Sequence, residues 1–172
     1  MDQIEAKSVA DPRGQNRHDR NAAVLGEFET ALMAATEGYH HWIMRAMGVA
    51  GESGLSPLEA RILNILQQSP DIPTFTEICA LTHVQEQHLA HYALRKLRKL
   101  GLVSTGRRGK EKTITLTERG RSLCRNFSDI RTGLIGLNLH EKISGDQMKR
   151  ASAVLRELAD IYRNAKNAAE TW

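Results

Sequence analysis

Apolar residues recur along most of this chain at helical spacing and alternate in only one short stretch. Leu25, Phe28, Leu32, Ala35, Tyr39, Trp42 and Ala46 follow one another at steps of three and four, which predicts a helix from about Asn21 to Gly48 with a heptad-like seam. So long a helix exceeds what one small domain covers, and the seam is expected to pack on a second chain as well as on its own. A second helix has Leu58, Ile62, Ile65 and Leu66 on its inner face. It opens at Ser56-Pro57-Leu58-Glu59, where Ser56 caps, Pro57 takes the first helical position and Glu59 completes a capping box. Thr74 and Glu77 repeat the box ahead of a short helix whose buried residues should be Ile78 and Leu81.

Ala90, Ala93, Leu94, Leu97 and Leu100 then make one apolar face of a further helix, while Gln87, His88, His91, Tyr92, Arg95 and Lys96 occupy the other. Gly101 follows the last periodic residue, where a left-handed C-cap costs least for a residue without a Cβ. Leu102 and Val103 open a short strand, and Thr113, Ile114, Thr115 and Leu116 alternate as a half-buried strand does. Gly106 and Gly109 bracket Arg107 and Arg108, which predicts a basic hairpin tip. Thr117-Glu118-Arg119-Gly120 starts another helix, with Leu123, Phe127, Ile130, Leu134 and Leu137 along its stripe and a bend or a close helix contact expected near Gly133. The last helix, from about Ser144 to Ala168, carries Met148, Ala151, Leu155, Leu158, Tyr162 and Ala165.

This order predicts a mainly α fold with a small β-hairpin, a winged helix-turn-helix flanked by N- and C-terminal dimerisation helices. The expected divisions are a mobile N-terminal tail over residues 1–20, an N-terminal dimerisation helix over 21–50, a winged helix-turn-helix DNA-binding domain over 51–120 and C-terminal dimerisation helices over 121–172. The tail is inferred from Asp11-Pro12, Gly14 and the lack of apolar periodicity.

Charge sharpens this picture locally rather than globally. The formal net charge is only +4 over 172 residues, yet Arg95, Lys96, Arg98, Lys99, Arg107, Arg108, Lys110 and Lys112 crowd one stretch against the acid Glu111. A charge run on an isolated helix is ordinarily a solvated face. Here helix, glycine stop, strand, two-arginine turn and strand follow in the order of a helix entering a major groove beside a wing on the backbone. Double-stranded DNA is therefore the expected partner, with Gln87, His88, His91 and Tyr92 reading base edges. Arg95, Lys96, Arg107, Arg108 and Lys110 are expected to hold phosphates. A competing reading makes the basic face a dock for an acidic protein, which fold alone does not exclude. RNA binding is disfavoured by the scarcity of aromatics for stacking.

Other chemistry finds little support. No Walker A, G-x-S-x-G or H-E-x-x-H pattern occurs, so no enzymatic activity and no cofactor are expected. His83, His88 and His91 lack a cysteine or carboxylate pair to complete a metal site. Cys79 and Cys124 lack ligand-like spacing and read as small buried hydrophobes. The apolar runs fall far short of the eighteen or so residues of a membrane span, and the N-terminus has no signal-peptide pattern. A cytoplasmic protein without a membrane partner is the expectation.

Ser56-Pro57-Leu58-Glu59, the LRKLGLV of Leu97 to Val103 and the ITLTERG of Ile114 to Gly120 resemble regulators of the multiple-antibiotic-resistance (MarR) family. The resemblance covers about residues 25 to 165 in layout. It implies a homodimeric transcription regulator, often a repressor, that binds a pseudo-palindromic operator and is released when a small ligand fills a cleft between the dimerising and DNA-binding parts. Tyr39, His40 and Trp42 lie where that architecture would place the cleft, although core packing explains Tyr39 and Trp42 as well. The wing here is shorter than the family's and lacks its Asp-x-Arg pattern, so the resemblance does not identify the residue that braces it.

Overall fold

The computed structural model describes residues 12–84, 86–136, 139 and 142–172, with side chains from residue 21 onward. Helix α1 runs Pro12–Ala50 and so begins ahead of the expected Asn21. Pro12 supplies the preset φ of a first helical position, and an existing helix extends at small cost through residues that carry no apolar pattern of their own. Residues 1–11, the rest of the expected tail, lie outside the described residues. Only the C-terminal part of α1 enters the core, through Ile43, Ala46, Met47 and Ala50.

Helix α2, Pro57–Gln68, starts at the predicted box: Glu59 N donates to Ser56 Oγ at 3.3 Å and Ser56 N to Glu59 Oε2 at 2.8 Å. Helix α3, Phe75–Thr82, repeats the arrangement between Thr74 and Glu77, at 3.2 and 2.6 Å. Ile78 is fully buried as expected, but Leu81 is 53% exposed, and Cys79 and Thr82 take the inner positions instead. Thr82 is tolerated there because its hydroxyl donates back to Ile78 O at 2.7 Å, which leaves no unpaired polar atom. His83 then turns the chain in the left-handed region, φ 53°.

Helix α4, Gln87–Lys99, buries Ala90, Ala93, Leu94 and Leu97 and ends ahead of Gly101, φ +70°. Strands β1, Val103–Arg108, and β2, Glu111–Leu116, pair antiparallel from Val103 opposite Leu116 to Arg108 opposite Glu111. The turn is therefore Gly109-Lys110, and Arg107 and Arg108 are strand residues rather than the tip. Gly109, φ +64°, supplies the positive φ that a two-residue hairpin turn requires.

Helix α5, Glu118–Arg131, is capped by Thr117, whose hydroxyl accepts from Gly120 N at 3.0 Å. The predicted irregularity after it takes the form of a π-helical segment, Thr132–Gly136, containing both Gly133 and Gly136. Helix α6, Gly145–Ala169, opens at Ser144 with a capping box completed by Gln147. Ile43, Met47, Ile62, Leu63, Ile78, Leu97, Leu102 and Ile114 bring α1 to α4 and the hairpin into one core, which Leu123 and Phe127 of α5 close. None of α6 is buried.

Candidate nucleic-acid interface

The buried face of α4 dictates where its polar residues point. With Ala90, Ala93, Leu94 and Leu97 inward, a rotation of about 100° per residue places His88, Tyr92, Arg95 and Lys99 opposite them. Gln87, His91 and Arg98 fall on one flank, and Leu89 and Lys96 on the other. Gln87, His88, His91, Tyr92 and Arg95 are all exposed, Tyr92 to 67%. The structure thus gathers the expected base-reading residues on the outer side of one helix.

Their surroundings differ. His91 stacks on Phe75 of α3, with ring centroids 4.0 Å apart and planes 18° apart. His88 Nε2 lies 3.3 Å from Glu86 Oε2 at the start of the helix. Lys96, half-buried, is engaged with the protein itself: its Nζ donates to Gly54 O at 2.7 Å and to Glu59 Oε2 at 2.9 Å.

The wing completes the surface. Arg107 stands opposite Lys112 in the ladder, two cations facing each other across the strands, and β1 is exposed from Ser104 onward. Like charges so placed repel, and an anion between them relieves it. Arg108 reaches Glu77 of α3 at 3.4 Å, which ties the hairpin back to the domain. Glu77 itself is held below the usual carboxylate range, chiefly by the backbone N–H of Thr74, then by the Thr74 hydroxyl and by Arg108. Further bracing comes from Ile114 N donating to Pro73 O at 3.0 Å and from the Ser104–Thr115 hydroxyl contact at 2.8 Å. This supplies the brace that the missing Asp-x-Arg pattern leaves open.

Arg98 and Lys112 belong to the same surface and were not among the expected phosphate contacts. Together with Phe75, His91, Arg95 and Thr105 they line a cleft between α4 and the hairpin. The signal was available: Arg98 lies one turn beyond Arg95 and two beyond His91 on the flank facing the wing, and strand alternation sets Lys112 beside Arg107. Among the described residues, none of Arg95, Arg98, Arg107, Lys110 and Lys112 has a carboxylate within salt-bridge distance, in contrast to Arg119, Arg121 and Arg125 of α5.

Residues 55–120 match the family model described as a winged helix DNA-binding domain. That segment has the winged-helix fold. No curated protein has a sequence that matches this chain. Among solved structures, a MarR family regulator from Neisseria meningitidis is similar, at 14% identity and TM-score 0.66 over 82% of this chain and 94% of the other. MarR of Staphylococcus aureus, in complex with salicylate and kanamycin, is similar at 18% identity and TM-score 0.62 over 84% and 96%. The Mycobacterium tuberculosis regulator MosR, in complex with DNA, is similar at 22% identity and TM-score 0.60 over 78% and 96%. The winged helix and its flanking helices therefore have the fold of MarR-family transcription regulators.

Outside the winged helix, Tyr39, His40 and Trp42 do gather near the junction of α1 with α5. The Trp42 ring lies 5.4 Å from Phe127 and 6.0 Å from Tyr39, and His40 lies 6.1 Å from Tyr39. Trp42 Nε1 is buried without a hydrogen-bond partner among the described residues. No group of three or more His, Cys, Asp or Glu among the described residues is placed to hold a metal ion. No described helix is long and apolar enough to cross a membrane.

Proposed function

We propose that the chain is a homodimeric MarR-type transcription regulator that places α4 in the major groove of a pseudo-palindromic operator and lays its wing along the adjacent backbone. The observation that carries this reading is the surface shared by α4 and the hairpin, where Arg95, Arg98, Arg107, Lys110 and Lys112 lie exposed without acidic partners among the described residues. Unpaired cations in that number suit phosphates. Gln87, His88, His91 and Tyr92, displayed beyond them, suit base edges. In this reading Arg108 holds the wing to Glu77 and contacts phosphate only secondarily.

Dimerisation is supported by the apolar residues that a single chain leaves uncovered: Val24, Leu25 and Met33 of α1 and Val154, Leu155, Ile161 and Tyr162 of α6 are between 37% and 70% exposed. Burying one large side chain contributes about 1.5–3 kcal/mol, and association costs roughly 4–15 kcal/mol, so about a dozen such residues at a two-fold interface suffice. Two copies of α4 about 34 Å apart then meet successive major grooves on one face of the duplex.

A small effector that releases the DNA is the finer part of the reading. It is supported by the buried, unpaired Trp42 indole N–H beside Tyr39 and His40, a donor that an acceptor on a ligand would satisfy.

Selection of bound fragments from sheared genomic DNA, followed by sequencing, tests the whole. Enriched fragments are expected to share inverted half-sites about one helical turn apart. Enrichment of no sequence, together with retention of acidic proteins on the same column, would favour the protein-docking alternative.

A further inference from the structure

Lys96 lies on the flank of α4 that faces away from the wing, and its charge is spent within the fold. Its ammonium sits between Gly54 O at 2.7 Å and Glu59 Oε2 at 2.9 Å. Glu59 is only 2% exposed, and the same carboxylate oxygen accepts the Ser56 N–H at 2.8 Å. A carboxylate so buried requires its cation, because removing one partner leaves an uncompensated charge.

The loop that receives Lys96 is itself held in shape. Gly51 and Gly54 adopt φ +124° and +78°, and Glu52 N donates to Met47 O at 3.0 Å, which makes the loop an extension of the end of α1. A second tie reaches the same loop from one turn further along, at the C-cap of α4. Arg119 donates to Leu100 O at the C-terminus of α4 and, through its other amino group, to Glu52 Oε2 at 2.6 Å. The last turn of α4 and the residue that caps it are thus both fastened to the segment joining α1 to α2.

Hydrogen bonds to base edges weaken steeply with misalignment, so the angle at which α4 leaves the domain matters for what it reads. Resting on the assignment of α4 as the recognition helix, we propose that Lys96 is a positioning residue: held between Gly54 and Glu59, it fixes the orientation of α4 and so which bases His88, His91 and Tyr92 meet.

Two measurements separate this role from a phosphate contact. In the DNA-free protein, nitrogen-15 spectra of the lysine side chains are expected to show Lys96 ammonium protons protected from water exchange, unlike those of Lys99 and Lys110. That protection should vanish in Glu59→Gln, which keeps a capping acceptor but removes the charge. Lys96 protons exchanging as fast as those of Lys99 in the wild type would overturn the proposal, whether or not the protein binds DNA. With a fragment selected from a random pool, Lys96→Met and Glu59→Gln are each expected to lower the ratio of selected to random affinity about tenfold, with an unchanged salt slope. The double variant should be no worse than either single one, and Lys96→Arg should restore most of the ratio. A Lys96→Met slope shallower by about one per chain with the ratio intact would make Lys96 a phosphate contact and overturn the proposal. A wild type without preference for any fragment would instead count against the operator-binding reading, and leaves the ammonium measurement to decide the brace.

Discussion

The imidazole of His91 lies flat on the ring of Phe75, 4.0 Å from centroid to centroid. One ring belongs to the helix proposed to enter the groove and the other to the helix that supports it, so the stack fixes the plane in which His91 meets a base edge. Phe75→Leu keeps an apolar contact but removes the flat platform. The expected result is a loss of preference at one base position per half-site, on the order of 1 kcal/mol, with the salt dependence of binding unchanged. Unaltered preference in a competition assay would show that the stack does not orient His91.

Gly120 and Gly26 should respond oppositely to the same change. A Cβ on Gly120 would fall 2.1 Å from Leu102 O, a backbone atom with nowhere to go, whereas one on Gly26 would meet nothing within 4 Å. Gly120→Ala is therefore expected to destabilise the fold by about 3 kcal/mol. Gly26→Ala should be neutral or stabilise by up to about 1 kcal/mol. Urea unfolding of the two variants checks this, and similar midpoints would refute the close approach of α5 to the residue that leads into β1.

The two thiols are expected to be inert. Burial raises both, and Cys124, whose Sγ approaches Leu63 O at 3.7 Å, is pushed up to about 11 from an ordinary 9. Because folding favours the neutral thiol, the contribution of Cys124 is complete below pH 9 and fades as pH rises towards about 11. A thiol-disulfide reagent at pH 8 should leave the native protein unlabelled and label it fully in denaturant. Rapid labelling of the folded protein would contradict this.

Leu155 tests the proposed pairing of chains. It is 46% exposed on a helix that buries nothing within its own chain. A glutamate there would carry a charge into the interface, so Leu155→Glu is expected to convert a sedimenting dimer to a monomer at micromolar concentration while helical content stays nearly constant. A wild type that sediments as a monomer would remove the basis for a two-fold operator.

Much of this arrangement was legible because local chemistry and tertiary structure agree. The capping boxes at Ser56 and Thr74, the glycine after Leu100 and the helix start at Thr117 are short-range devices whose hydrogen bonds close within a few residues, and each lies where the sequence places it. What escaped depends on contacts distant in sequence. Leu81 reads as core by periodicity, but a helix of two turns has room inward for only a few residues, and Thr82 could take a buried place by bonding to its own backbone. A tip at Arg107-Arg108 falls one residue pair too early, since the ladder continues through Arg108 and turns at Gly109-Lys110. Charge and its place on the polar face of α4 point Lys96 to phosphate; its carboxylate partner lies in another helix, and spacing along α4 carries no trace of it. Arg98 shows the reverse, a residue that periodicity could have placed beside His91 and Arg95.

The most direct test of the account is the salt dependence of binding to a selected fragment, measured for the wild type and for a variant carrying Arg107→Ala and Lys112→Ala. A dimer making about 6–10 phosphate contacts should lose roughly 10³- to 10⁵-fold in affinity between 50 and 200 mM salt. The variant, which removes about four contacts per dimer, should show a slope shallower by about 3 to 4. A nearly flat dependence in the wild type, or an identical slope in the variant, would contradict the claim that this surface grips the backbone of DNA.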